Sequence, residues 1–91
     1  MSGGHFDYQQ YKLDDIADEI EKLIERSILG EESWLIFNDE TLKEFQNAIE
    51  YLRIAAIYAQ RIDWLVSGDD GEQTFHTRLK EELSELNPLF V

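Results

Sequence analysis

Between Gly30 and Gly68 the sequence holds neither glycine nor proline, and from Asp39 to about Ser67 its apolar residues keep helical spacing for some 28 residues. Asn38 ahead of this run is a good N-cap, Phe37 beside it is placed to staple onto Leu42, and Gly68 behind it supplies a C-terminal stop. At 1.5 Å per residue the helix is about 42 Å long. In a chain of 91 residues, so long a helix is the element on which everything else must pack.

Its apolar residues also lie on too many sides. At about 100° per residue, Leu42, Phe45, Ile49, Leu52, Ala56, Ala59 and Val66 gather on one side, and Tyr51, Ile54, Tyr58, Ile62 and Leu65 lie nearly opposite. Only Gln60, Arg61 and Asp63 interrupt the run from Ile54 to Val66. Such a helix is buried on most sides, either because two shorter helices each cover a face or because one face meets a second subunit across a twofold axis. The narrow apolar stripe of the third helix favours the second arrangement, a homodimer through Tyr51, Ile54, Tyr58, Ile62 and Leu65.

The flanking segments read as helices with caps of their own. Asp7 is placed as an N-cap, Gln10 completes a capping box, and Phe6 with Tyr11 forms a staple; Leu13, Ile16, Ala17, Ile20, Leu23 and Ile24 then share one face up to the stop at Gly30. Towards the C-terminus, Asp69 or Asp70 finds Glu72 or Gln73 three residues on, Phe75, Leu79, Leu83 and Leu86 form one stripe, and Asn87–Pro88 ends it. The five-residue "SWLIF", residues 33–37, has some strand character but no second strand to pair with, so it reads as an apolar connection. The expected fold is an all-α three-helix domain with a long central second helix: a short N-terminal arm over 1–7, then one helical domain over 8–91 with helices at about 8–29, 39–67 and 70–86.

Charge narrows the functional classes. The net charge is -12, and it is evenly spread: residues 1–30 carry 7 acids and 3 bases, 31–68 carry 7 and 3, and 69–91 carry 6 and 2. A body negative on most sides repels nucleic acid and lipid headgroups and steers towards basic partners. The chain has no cysteine, which removes disulfides, thiolate metal sites and a thiol nucleophile. No apolar run is long enough to span a bilayer and no signal-peptide pattern opens the chain, so a cytoplasmic protein is expected.

Few residues point to chemistry. His5 with Asp7, and His76 with Asp69, Asp70 or Glu72, are the conceivable metal pairs, but two ligands at loose spacing do not make a site, and "DDGE" lacks the alternation of a calcium loop. There is no phosphate-binding glycine loop and no Ser–His–Asp arrangement. Carboxylates are plentiful, yet none is singled out for general acid–base work. The expectation is no enzyme, no cofactor and no metal.

One polar row has a definite shape. Asp14, Asp18, Glu21 and Glu25 fall at roughly 0, 40, -20 and 20° around the first helix, aligning four carboxylates along its outer face. Their pitch approximates that of phosphates along a nucleic-acid strand, so the row is able to enter a basic groove on a partner protein; a plain solvated face, partly offset by Lys22 and Arg26, is the simpler reading. Tyr11 and Tyr8 project on this acidic side too and need something to cover them.

The segments "MSGGHFDYQQYKLDDIADEIE" and "YAQRIDWLVSGDDGEQTFHTRLKEEL", together about half of the chain, resemble a group of small acidic proteins of phages and prophages. The resemblance implies an accessory protein that works in the host cell by binding a host or phage protein, and it carries over no catalytic or ligand residue. The functional expectation is therefore a non-enzymatic binding protein, with Asp14, Asp18, Glu21, Glu25 and Tyr11 facing a basic partner as a nucleic-acid mimic would. The alternative is a homo-oligomeric helical module that recognises partners through apolar and aromatic surfaces.

Overall fold

A computed structural model describes residues 6, 8–30 and 32–86. Three helices follow one another, α1 over Tyr11–Leu29, α2 over Asp39–Val66 and α3 over Glu72–Leu86, with a 3-10 turn at Ser33–Leu35 and no strand among the described residues. As expected from its uninterrupted run, α2 is the longest, at 28 residues.

The caps of α2 follow from local chemistry. Asn38 is extended (φ -76°, ψ 170°) and its Oδ1 accepts the Thr41 amide at 2.8 Å, while Asp39 and Glu40 place negative charge against the positive end of the helix dipole. At the other end Gly68 takes φ +86°, and the amides of Gly68 and Asp69 donate back to the carbonyls of Leu65 (3.2 Å) and Trp64 (2.9 Å). That is a Schellman stop, and only glycine enters its left-handed position without strain. Gly30 ends α1 in the same left-handed region, donating to Arg26 and Ser27.

The starts of α1 and α3 come later than expected. Residues 6 and 8–10 form turns, with the Gln9 amide on the Phe6 carbonyl at 3.0 Å, and Tyr8 sits at φ +60°, a conformation that no α-helix can run through. The helix therefore begins at Tyr11, with Gln10 as an N-cap that makes no side-chain cap bond. Asp7, the expected cap, lies outside the described residues, as do the N-terminal arm to His5 and the Asn87–Pro88 stop. Tyr11 stacks on Tyr8, with centroids 6.3 Å apart and planes 13° apart. In front of α3, Asp70 does not cap: its carboxylate accepts from Arg61, and the helix opens at Glu72 with the Phe75 amide on the Gly71 carbonyl.

Both α1 and α3 pack on α2, and among the described residues they do not pack on each other. The result is a slab of 49 × 29 × 13 Å, about one helix thick. Its radius of gyration is 16.2 Å, against about 12 Å for a close-packed domain of this length. The core is correspondingly thin: among the described residues, Ala17, Ile24, Leu35, Ala56 and Leu83 are the buried apolar ones. Leu35 comes from the "SWLIF" connection, which Ser27 holds by accepting the Phe37 amide at 3.2 Å and which Arg26 ties down through an ion pair with Glu32.

Candidate functional site

The polar interruptions of α2 turn out to be the best-buried part of it. Asp63 is 0 % exposed, and Arg61 is buried as well. Gln10 reaches Asp63 from the start of α1: its Nε2 donates to Asp63 Oδ2 at 3.0 Å and to Gln60 Oε1 at 2.7 Å, and Ser67 Oγ lies 3.4 Å from Asp63 Oδ1. Two residues before Asp63, the Arg61 guanidinium lies 4.0 Å above the Trp64 ring, donates from Nη1 to Asp70 at 3.3 Å, and brings Nε to 2.9 Å from Glu82 as an ion pair without hydrogen-bond alignment. These two clusters join both flanking helices to α2. A buried carboxylate or guanidinium survives only with such partners, so the polar residues fix the register that a thin apolar core leaves loose.

The acid row is not a bare outer face. Arg53 of α2 reaches across to α1, with Nη1 on Asp14 at 3.2 Å and Nη2 on Asp18 at 2.8 Å and Glu21 at 3.1 Å. Asp18 and Glu21, with a smaller share from Asp14, raise the Arg53 pKa further above the ordinary arginine value, against a modest opposing effect of burial. Three of the four expected carboxylates therefore converge on a cation of the same chain; Glu25 takes no part in the fork. The row lines the α1–α2 seam because α2 supplies, at a single turn, the arginine that relieves the mutual repulsion of three stacked acids. The acids stay half exposed, at 47–57 % of their side-chain surface, so they still face solvent on one side.

The expected dimer face divides in two. Tyr51 (71 % exposed), Tyr58 (39 %) and Ile62 (37 %) are open to solvent, whereas Ile54 and Leu65 are half-buried on its flank. Ala55 and Val66 (53 %) complete the exposed line, so Val66 belongs to this face and not to the face that packs on α1. Tyr51, Ala55, Tyr58, Ile62 and Val66 thus form an uncharged stripe about 22 Å long on a chain whose charge is -12. A second apolar patch, Ile28, Leu29, Trp34 and Ile36, is exposed at the α1–α2 connection.

The stripe and the polar clusters use different sides of α2. Ala56, Ile57 and Gln60 line a trough of about 120 Å³ with Gln10, Tyr11 and Asp14 of α1 and Glu82 of α3, and they lie roughly 140–240° around α2 from Tyr51. A larger and more open recess of about 570 Å³ between α2 and α3 is lined by charged residues of both signs, among them Arg61, Arg78, Glu81 and Glu85.

As for chemistry, among the described residues no three histidines or acids converge as metal ligands. His76 packs edge-on against Phe75 with centroids 5.2 Å apart, and His5 lies outside the described residues. Among the described residues no helix is long and apolar enough to cross a membrane. Comparison of the chain with protein-family models, with curated proteins and with solved structures returns no match.

Proposed function

We propose that the protein is a non-enzymatic binding module in which two copies pair through the exposed stripe of α2, leaving an acidic surface to engage a basic partner protein. The resemblance to phage and prophage proteins sets that partner, a host or phage protein, in the cytoplasm of an infected or lysogenic cell.

The observation that carries the reading is the uncovered stripe in a slab one helix thick. An apolar line of this length on a strongly charged surface marks an interface. Its spacing favours a second copy over an unrelated partner. Reflected about the point between Tyr58 and Ala59, position 51 meets 66, 55 meets 62, and 58 meets 59. An antiparallel twofold pair therefore sets each large side chain against a smaller one, Ile62 on Ala55 and Tyr51 on Val66, which is the self-complementarity an isologous interface needs.

In this arrangement the row Asp14, Asp18, Glu21 and Glu25 is a rim partly neutralised by the single charge of Arg53. The overall charge supports its use as a nucleic-acid mimic; Arg53, seated on three of the four acids, weakens that use. The dimer is tested directly because the chain has no cysteine. With Ala59→Cys, placed next to the twofold, mild oxidation is expected to give a covalent dimer, while Thr77→Cys on exposed α3 stays monomeric. Equal cross-linking at both positions, or none at 59, contradicts the reading.

A further inference from the structure

The connection between α1 and α2 is held firmly and yet displays large apolar side chains. Leu35 is buried, its amide donates to the Glu32 carbonyl at 3.0 Å, and the Phe37 amide donates to Ser27 Oγ at 3.2 Å. The Phe37 ring packs on Phe45, with centroids 5.4 Å apart. With the backbone anchored at 35 and 37, the residues between and before them are turned out: Trp34 is 67 % exposed and Ile36 58 %, against Ile28 and Leu29 at 70 % each on the last turn of α1. Four such side chains present roughly 500 Å² of apolar surface, a size at which a patch marks a binding site. Because the backbone beneath them is already fixed, little ordering is lost when a partner covers them.

Charge decides what covers the patch. Residues 25–40 carry five acids and one base, and that base, Arg26, is paired with Glu32. Glu25 stands one turn before Ile28 and Leu29, and Asp39 and Glu40 open α2 just beyond Ile36; Lys22 and Lys43 are each seven residues away, from Leu29 and Ile36 respectively. A second copy is a poor occupant. A twofold contact sets this rim against itself, acid on acid, over an area below the roughly 800 Å² per partner of a standard interface. Nor does pairing through the stripe reach the patch, since the second copy's α2 then ends over Tyr51, about 20 Å along the helix from Asn38. One face of a helix of three or four turns is a patch of this size, and it carries lysines or arginines along its edges without burying them.

We infer that Ile28, Leu29, Trp34 and Ile36 form the docking site for a basic amphipathic helix of the partner protein. Trp34 and its neighbours take the apolar face of that helix, and Glu25, Asp39 and Glu40 meet the cations on its edges. Tryptophan at the centre of such a patch is the residue type that carries most of the binding energy, while the acids set specificity and the rate of encounter. The inference rests on the partner-binding half of the proposed function and names its surface; it is independent of the dimer. It also moves recognition away from the Asp14, Asp18 and Glu21 row, which Arg53 already occupies.

The test is an NMR titration of the isotope-labelled protein with a synthetic amphipathic helical peptide that has a leucine face and lysine and arginine edges. Two control peptides keep the leucine face with glutamate edges, or keep the basic edges with serine in place of leucine. A saturable shift of the Trp34 indole N–H and of the Ile28, Leu29 and Ile36 methyl groups is expected with the first peptide alone, the Trp64 indole staying still. Trp34→Ala, a change at an exposed side chain that leaves the helices intact, should weaken binding by at least about tenfold, and Glu25→Lys by about threefold. Equal binding of either control peptide, an unaffected Trp34→Ala variant, or shifts centred on Tyr51 and Tyr58 would overturn the assignment. Shifts confined to Asp14, Asp18 and Glu21 would overturn it too, but would leave the basic partner of the proposed function in place on the other acidic surface. Loss of the cysteine cross-link with this titration intact would remove the dimer and leave the docking site.

Discussion

Gln10 and Asp63, 53 residues apart, meet at 3.0 Å in the interior of the domain, the amide Nε2 donating to a carboxylate that has no solvent exposure. This bond pins the beginning of α1 to the last turns of α2. It also explains why Gln10 makes no cap bond at its own helix: the side chain is used on another one.

Removing either partner should therefore cost more than a surface hydrogen bond. Gln10→Ala leaves the Asp63 carboxylate short of a donor in a dry environment, with an expected loss of about 1–3 kcal/mol of unfolding free energy in urea denaturation. A change below a few tenths of a kcal/mol would show that water replaces the amide.

Arg61 combines three roles, stacking on Trp64 and pairing with Asp70 and Glu82. Lysine keeps the charge but loses the flat face and the fork, so Arg61→Lys should destabilise by about 1–2 kcal/mol and Arg61→Ala by more. Thermal unfolding followed by circular dichroism measures both, and equal effects would mean that charge alone matters.

Arg53 is different because its partners are half exposed. Solvent screens such pairs, so Arg53→Gln should cost only about 1 kcal/mol, with the loss shrinking as salt relieves the repulsion among Asp14, Asp18 and Glu21. The same change frees those carboxylates. If they carry recognition, affinity for a basic partner rises at low salt; an unchanged affinity and salt dependence would remove the acid row from the binding surface.

Gly68 needs its left-handed backbone at φ +86°, although open space surrounds the position where a Cβ would stand. Gly68→Ala should therefore cost about 1 kcal/mol from backbone strain alone, with no clash to relieve. A neutral result would mean that the Schellman stop relaxes without loss.

Much of this architecture is legible in the residues. The run from Asp39 to Val66, Asn38 before it and Gly68 after it are local signals, and local signals report helices and their ends well. What they miss is where a side chain is needed by another element. Gln10 reads as a capping-box residue and Asp70 as a cap, yet tertiary partners at Asp63 and Arg61 claim them. The row from Asp14 to Glu25 reads as an outer face, because nothing in the periodicity of α1 announces Arg53 on α2. The signal that was available lay in α2 itself: charges set singly within an apolar run, Arg61 and Asp63, mark buried pairs more often than a solvent-facing edge. The exposed face is legible only in part, since Tyr51, Tyr58 and Ile62 are open but Ile54 and Leu65 are not. The slab shape, which decides the difference, depends on how three helices pack and not on any one of them.

We propose that the face of α2 left open by the described residues is closed by a second copy. Light scattering coupled to size exclusion at micromolar concentration tests it most directly. A mass twice the 10.7 kDa of the chain is expected, falling to the single-chain value in Ile62→Glu with helix content retained. A wild-type mass of 10.7 kDa that persists at hundredfold higher concentration would contradict it.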